Sequence, residues 1–490
     1  MTQAVAPSST IVGVEAIPVE VQVDVSNGLP AFTIVGLGDA AVLEARERVR
    51  SALRASGFDF PNSRVTVNLA PAPVRKHGTG FDLPIAIGIL AATGQVPPEI
   101  LTAVAVGELG LDGTVRPVPG LLAHAVAARR SQRSLIVAAE AEPEMGAVEE
   151  ASILPTPTLG ALRGGLPAQV RRAEVRAVSH GDQPDLAEVT GQVSAKRALE
   201  IAAAGGLGLL LIGSPGSAKT MLARRLPTIL PPLTKSEALE TALVHSVAGL
   251  ETASILAGER PFRAPHHTAT TAGLVGGGSP PRPGEASLAH NGVLFLDELP
   301  EFSPAALQAL RQPLEDGHLT LVRAEGRVRY PARFALVAAM NPCPCGYLGD
   351  PMRACRCPAS LVERYRTRIG GPLMDRIDMS LFVGRTDTSR LLDGVHEESS
   401  ESVRGRVIRA REHASARGHA AVLSGAALLR ACSLEEPSRR TVESAARTHH
   451  LSGRGVTRLL RVALAIADLG LSDRVTSDHV LEASSYRTMS

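Results

Sequence analysis

LLLIGSPGSAKT, residues 209–220, is the stretch whose reading decides the fold. Leu209, Leu210, Leu211 and Ile212 form an apolar run of the length expected for a strand buried on both faces. The run breaks at Gly213, passes through Ser214, Pro215, Gly216, Ser217 and Ala218, and reaches Lys219 and Thr220 at the head of a helical-looking MLARRL. Strand, glycine-rich turn and helix in that order make a phosphate-binding loop. Backbone N–H groups approach an anion that also sits at a helix N-terminus. Lys219 would reach the β- and γ-phosphates of a nucleotide, and the Thr220 hydroxyl would ligate Mg²⁺. The usual pattern has glycine before the lysine. Ala218 stands there instead, and its added methyl is expected to be tolerated on backbone that is already helical.

Partners for such a loop lie downstream. GVLFLDE (292–298) is an apolar strand that ends in two carboxylates, with Asp297 78 residues after Lys219. Asp297 at a strand end can hold Mg²⁺, and Glu298 can orient an attacking water. The strand ALVAAMN ends at Asn341, placed to read a γ-phosphate and that water. Directly after it come Cys343, Cys345, Cys355 and Cys357, spaced C-x-C, nine residues, C-x-C. Four thiolates that close can satisfy tetrahedral Zn²⁺, although the commoner knuckle is C-x-x-C. Reduced structural cysteines and a regulatory disulfide are the other two readings. Cys432 stands alone and reads as core. Between the two carboxylates and Asn341, HLTLVRAEGRVRYPARF reads as a hairpin with Arg323, Arg327 and Arg329 near its tip.

The 490 residues suit about three domains. A net charge of +2 gives no bulk argument for nucleic acid, so any such contact must come from local basic clusters. With no Trp, four Tyr and nine Phe, base-stacking platforms are not expected. MTQAVAPSST has no basic segment before an apolar core, and no apolar run reaches membrane-spanning length. A cytoplasmic protein without membrane contact is expected, and a reducing compartment favours metal over disulfides.

Residues 11–36 alternate as strands around a Ser26-Asn27-Gly28 turn. Asp39 reads as the N-cap of a helix ending at Gly57, and RVTVNLAPA as another strand before the turn and apolar helix of RKHGTGFDLPIAIGILAA. Lys76 and His77 read as a solvated turn. Residues 167–189 are polar and aperiodic, a linker. His266 and His267, on an extended segment, should face opposite sides, which favours a structural or pore-loop role over a metal site. Gly276-Gly277-Gly278 reads as a hairpin tip. From Thr388 onward the chain reads as helices.

Taken in sequence, GQ-x-x-AKRALEIAAAGG, the phosphate loop, RPFRAPHHTA, GGG, PRPGE-x-SLAH, GVLFLDELPEF, LRQPLEDG, NPCPCGY, CRC, GPL-x-DRID, IADL and YR closely resemble the ComM/YifB family of magnesium-chelatase-like AAA+ ATPases. The resemblance covers nearly the whole chain. It departs at Ala218 and at Leu207-Gly208, where relatives often carry a polar pair. It implies an α/β protein in three parts. Residues 1–168 form a Lon-protease-like (S5 domain 2-like) α+β domain, and 169–188 a linker. Residues 189–387 form the AAA+ P-loop core, with pore hairpins at 262–284 and 319–331, and 388–490 a helical lid. Where proteolytic relatives carry the nucleophilic serine and the lysine base, this chain has Gly80 and Leu122, so no protease is expected. The resemblance puts Gly191-Gln192 beside the adenine. It makes Arg376 an arginine finger that completes a neighbouring subunit's site, and Arg454 a second phosphate sensor in the lid, with Arg458 as runner-up.

The implied function is an ATP- and Mg²⁺-dependent ring, a hexamer, that acts as a DNA helicase or branch-migration factor in natural transformation. Single-stranded or branched DNA and recombination proteins would be its partners. Arginine-tipped hairpins suit tracking along phosphates without sequence readout. Two rival readings are a chelatase motor subunit and a protein remodeller or scaffold. Chelatase subunits lack this kind of N-terminal domain, and remodeller pore loops usually carry an aromatic, which here occurs only at the hairpin bases, Phe262 and Tyr330.

Overall fold

The structure is a computed structural model and describes residues 3–169, 184–323, 326–385, 397–419 and 423–487. Its first sheet is a mixed four-stranded layer in which Gln3–Val12, Glu15–Ser26, Arg64–Ala70 and Ala31–Val35 lie side by side in that order. The hairpin that opens it closes at Val12 opposite Glu15, with Gly13 at φ +68° in the turn. The sequence reading began this sheet at residue 11 and missed the strand Gln3–Val12. Pro7 and the Ser8-Ser9-Thr10 run look like a loop. But the strand is an edge, where proline costs no ladder bond, and all three hydroxyl residues are buried. Helix Ala40–Ala55 starts where the Asp39 carboxylate accepts the Val42 N–H at 3.0 Å, as the N-cap reading expected. Helix Asp82–Ala92 is buried along nearly its whole length beneath the sheet. A second, parallel layer pairs Val104–Ala105, Leu135–Ala138 and Ile153–Thr156.

The two positions where proteolytic relatives carry a nucleophile and a base, Gly80 and Leu122, are both closely packed. A Cβ at Gly80 would meet Val106 Cγ1 at 3.2 Å, and Leu122 is fully buried. The helix that carries Leu122, Leu121–Arg130, packs its apolar face on helix Lys235–Val247 of the next domain, in a core shared with Leu233, Ala238, Ala242 and Ile255. The Gly120 N–H donates to Ser246 O at 2.8 Å across the same joint. Lys76 is not the solvated residue the sequence suggested. Its side chain is buried and its ammonium donates to the carbonyl of Pro71, while desolvation lowers its pKa.

The second domain is built on a parallel five-stranded sheet in the order Phe262–Arg263, Val293–Leu296, Ala335–Met340, Leu209–Ile212, Met379–Phe382. Leu209–Ile212 and Val293–Leu296 are buried at every position, as continuous apolar runs between helical layers must be. Ligands of such sheets bind outside the carboxyl ends of the strands, and here those ends carry Gly213, Asp297 and Asn341. Most of the expected linker, 170–183, lies outside the described residues. Its last part is packed rather than free: Leu186 is buried, and Arg225 of the loop helix donates to Asp185 O at 3.2 Å.

Ser400–Ala416, Gly425–Cys432, Glu436–Thr448, Gly453–Leu469 and Ser477–Ser485 are the helices of the third part among the described residues. Gly453–Leu469 lies so close on helix Val193–Gly205 that a Cβ at Gly205 would come within 2.8 Å of Ala465 Cβ. Cys432 is fully buried there and its thiol is pushed up to about 12 by burial, in keeping with a core residue. Among the described residues no helix is long and apolar enough to cross a membrane.

Candidate active site

Gly213 has to be glycine: a Cβ there would meet Val383 O at 2.3 Å and Ser217 Oγ at 2.5 Å. Gly216 turns the loop at φ +79°. Ala218 does not sit on helical backbone, contrary to the sequence reading. It stands just before helix Lys219–Ile229 at φ +64°, ψ 17°, in the left-handed region that glycine fills in the usual motif. Helical propensity therefore cannot explain its tolerance; an alanine in that region costs on the order of 1–2 kcal/mol.

Inside the loop the buried Lys219 ammonium donates to Gly213 O at 2.7 Å and Ser214 O at 3.0 Å, and lies 3.4 Å from Asn341 Oδ1. Burial lowers its pKa, opposed by the fields of Asp297 and Glu298. The Thr220 hydroxyl donates to Asp297 Oδ2 at 2.8 Å. Parallel pairing of Leu209–Ile212 and Val293–Leu296 with Ala335–Met340 thus brings together Lys219, Thr220, Asp297 and Asn341 at one end of the sheet. An oxygen pair such as Thr220 and Asp297, open to solvent, fits a hard Mg²⁺ that keeps several waters.

Glu298 stands next to them, exposed, at φ +52°. Its carboxylate is 3.1 Å from His267 Nδ1. Sequence reasoning assigned His267 no place in the site and set the two histidines on opposite faces. Instead their rings lie 4.1 Å apart, because 264–267 is not a strand, and His266 Nδ1 bonds the Thr268 hydroxyl at 2.8 Å. An acid at a strand end and a histidine a short way past the neighbouring strand, Phe262–Arg263, was the signal available for this pair.

Arg376 and Arg454 are not brought to this site. The chain enters Met379–Phe382 beside Gly208, against whose Cα the Arg376 carbonyl packs, whereas the phosphate loop begins at Gly213. Five residues of strand at about 3.3 Å each are roughly 17 Å, more than an arginine side chain spans. Arg376 pairs with Glu315 of the same chain. Arg454, largely exposed, donates to Asp375 at 2.7 Å, and Arg458 donates to Met374 O at 2.8 Å. All three arginines therefore gather at the sheet end opposite the phosphate loop. Gly191-Gln192 is on the loop side. Gly191 N–H donates to Glu397 at 2.6 Å, and the Gln192 amide donates to Gly384 O at 2.8 Å.

The four cysteines converge. Cys343 Sγ lies 3.4 Å from Cys345 and 3.6 Å from Cys355, and the four sulfurs fall within 4.8 Å of one another. A tetrahedral Zn–S₄ centre with bonds of about 2.3 Å has sulfurs about 3.8 Å apart, so the donor set fits zinc. Backbone N–H groups of Arg356 and Tyr347 hold the Cys345 thiol down at about 6. Cys355 accepts the Cys357 N–H, yet burial and the neighbouring sulfurs push it up to about 12.

The arginine hairpin forms as expected from His318–Arg323 and Gly326–Pro331, with Val322 opposite Arg327 and Thr320 opposite Arg329. Arg327 and Arg329 are exposed on one face, while Val328 and Tyr330 are buried on the other. Arg329 lies 3.1 Å from His318 Nδ1, and among the described residues Arg327 has no carboxylate partner; Glu325 lies outside them. The insert 262–284 is not one long hairpin. It holds the short strand, helix Thr271–Val275 and a tight loop closed by Gly277 and Arg282, and its Pro281 carbonyl accepts the Tyr330 hydroxyl at 2.8 Å.

Comparison with known proteins follows the same three parts. Residues 185–391 match the family described as magnesium chelatase, subunit ChlI. Residues 21–141 match subunit ChlI of Mg-chelatase, and 397–487 its C-terminal part. The chain is 44% identical over 497 residues to an uncharacterised protein, YifB, of Salmonella typhimurium, covering 100% of this chain and 98% of that one. It is 43% identical over 502 residues to the competence protein ComM of Haemophilus influenzae, with the same coverage. An uncharacterised protein of Mycobacterium tuberculosis is 42% identical over 500 residues, covering 98% of this chain and 97% of the relative.

Proposed function

This chain belongs to the ComM/YifB family of magnesium-chelatase-like AAA+ ATPases, and from that premise we propose that it is a ring-forming ATPase that drives branch migration or unwinding of DNA. The observation that carries the ATPase is the Lys219, Thr220, Asp297 and Asn341 constellation at the carboxyl ends of adjacent strands. Lys219 would exchange its backbone carbonyls for the β- and γ-phosphates. Thr220 and Asp297 would hold Mg²⁺, which neutralises charge on the transferred phosphoryl. Glu298, oriented by His267, takes the proton of the attacking water, and Asn341 fixes that water against the γ-phosphate.

On this reading a single chain is incomplete for the reaction, because Arg376, Arg454 and Arg458 lie at the far end of the sheet. Closed, head-to-tail assembly puts that end of one subunit against the phosphate loop of the next. Arg376, released from Glu315, then stabilises the transition state in the neighbour's site. A hexamer is the ring size this reading adopts.

The DNA reading is supported by the exposed arginine face of 318–331, by its packing on the 262–284 insert, and by the relative named for competence. ATP hydrolysis measured with and without single-stranded and forked DNA tests it. Stimulation by DNA, steeply weakened by salt, is expected. Stimulation only by a porphyrin-handling partner would favour the chelatase reading, and stimulation only by unfolded protein the remodeller.

A further inference from the structure

Residues 343–357 run between the strand of Asn341 and helix Ala359–Thr367 without regular secondary structure. Cys343 and Gly346 are the buried residues of that segment, so it has no apolar core of its own. Its fixed points are the converging sulfurs and a set of contacts with the phosphate loop. Gly346, at φ +85°, lies on Pro215 so closely that a Cβ would meet Pro215 Cδ at 2.8 Å. The Asp350 carboxylate accepts from the Ser214 side chain, and Arg385 donates to the same carboxylate at 2.9 Å. Cys343 itself stands two residues after Asn341, whose amide oxygen faces Lys219.

We propose that Cys343, Cys345, Cys355 and Cys357 bind one structural zinc ion, and that the ion holds this segment as the outer wall of the phosphate loop, so that nucleotide affinity depends on it. The second half rests on the nucleotide reading above; the metal does not. Zinc suits the donors: four thiols of one chain within 4.8 Å of one another, with N–H groups such as that of Cys357, 3.4 Å from Cys355 Sγ, turned to the sulfurs. Binding releases the thiol protons to solvent and leaves a dianionic centre, with Arg353 and Arg356 carried on the same segment. No redox step is involved. Without the ion, a 15-residue segment with no helix or strand and no apolar core has little to offset its ordering entropy.

The test takes full-length protein purified under reducing conditions without chelator. Elemental analysis is expected to find one zinc per chain. Replacement by cobalt should give the visible bands of a tetrahedral tetrathiolate. A fluorescent ATP analogue should bind severalfold more weakly to Cys345→Ser/Cys357→Ser, and to wild-type protein stripped by a chelator, with recovery on adding zinc back. The stripped protein guards against a variant that fails to fold. Lys219→Ala should lose nucleotide and keep its zinc. Folded protein with zinc near zero and four freely titrating thiols overturns the site. Zinc at one per chain, with affinity unchanged on its removal, overturns the coupling. Zinc present in protein that never binds nucleotide leaves the metal site standing and removes the function reading.

Discussion

Single residues carry the sharpest consequences. Ala218, at φ +64°, is strained where glycine is not. Ala218→Gly trades relief of that strain against a more flexible unfolded chain, so a gain of up to ~1 kcal/mol in denaturant melts is expected, with nucleotide affinity unchanged. A drop in stability would contradict the conformational account. His267 Nδ1 lies 3.1 Å from the Glu298 carboxylate, where it would orient that acid. Its replacement by alanine should lower kcat severalfold at unchanged nucleotide Kd, and His267→Asn should recover part of it; a change confined to Kd would remove His267 from catalysis. In the first domain His124 is buried against the Ser9 hydroxyl at 2.6 Å, and desolvation lowers its pKa to about 4. The folded value lies below the unfolded value of about 6.5, so the unfolded chain takes up the proton first. Stability from this residue is full above about pH 6.5 and falls as pH drops toward 4, by about 3 kcal/mol in all. Denaturant titrations across that window should show the slope, and His124→Gln should flatten it.

At the level of elements, the arginine hairpin is where motor and substrate would meet. Arg323→Ala with Arg327→Ala should abolish DNA-stimulated hydrolysis while basal ATPase and assembly persist. Removing each phosphate-binding arginine should reduce the slope of log affinity against log salt by about 0.7–0.9. Wild-type unwinding by that variant would mean the hairpin is not the grip. Elements of this kind were legible in the sequence for physical reasons. Buried parallel strands leave unbroken apolar runs such as LLLI and VLFL, and a hairpin leaves alternation around a glycine. What stayed hidden depended on neighbours far along the chain. Gln3–Val12 passes for a loop until it is known to be a sheet edge. The stacking of His266 on His267 depends on the bend of 264–267, and the carbonyl that Lys76 meets on a turn around Pro71. The Thr220–Asp297 contact was readable because Thr220 heads the helix after a recognisable phosphate loop and Asp297 follows a recognisable strand. The His267–Glu298 contact was not, because a loop carries one partner.

Across the whole molecule, the chemistry is divided between two ends of one sheet. Gly213 to Thr220, Asp297, Glu298 and Asn341 occupy the carboxyl end, and Arg376, Arg454 and Arg458 cluster about Asp375 and Glu315 at the other. The first domain is locked to the second through the shared core around Leu122 and Ala242. On the shared-site reading, such a division would make hydrolysis a property of the assembly. Lys219→Ala should lose nucleotide binding, and Arg376→Ala should bind nucleotide and lose hydrolysis, because the finger acts on the transition state. The most direct measurement is ATPase activity after mixing these two inactive proteins under conditions where subunits exchange. Recovery of part of the wild-type rate is predicted, because a Lys219→Ala subunit lends its Arg376 to an intact neighbouring site. Exchange of subunits with no activity regained would contradict a site shared between chains.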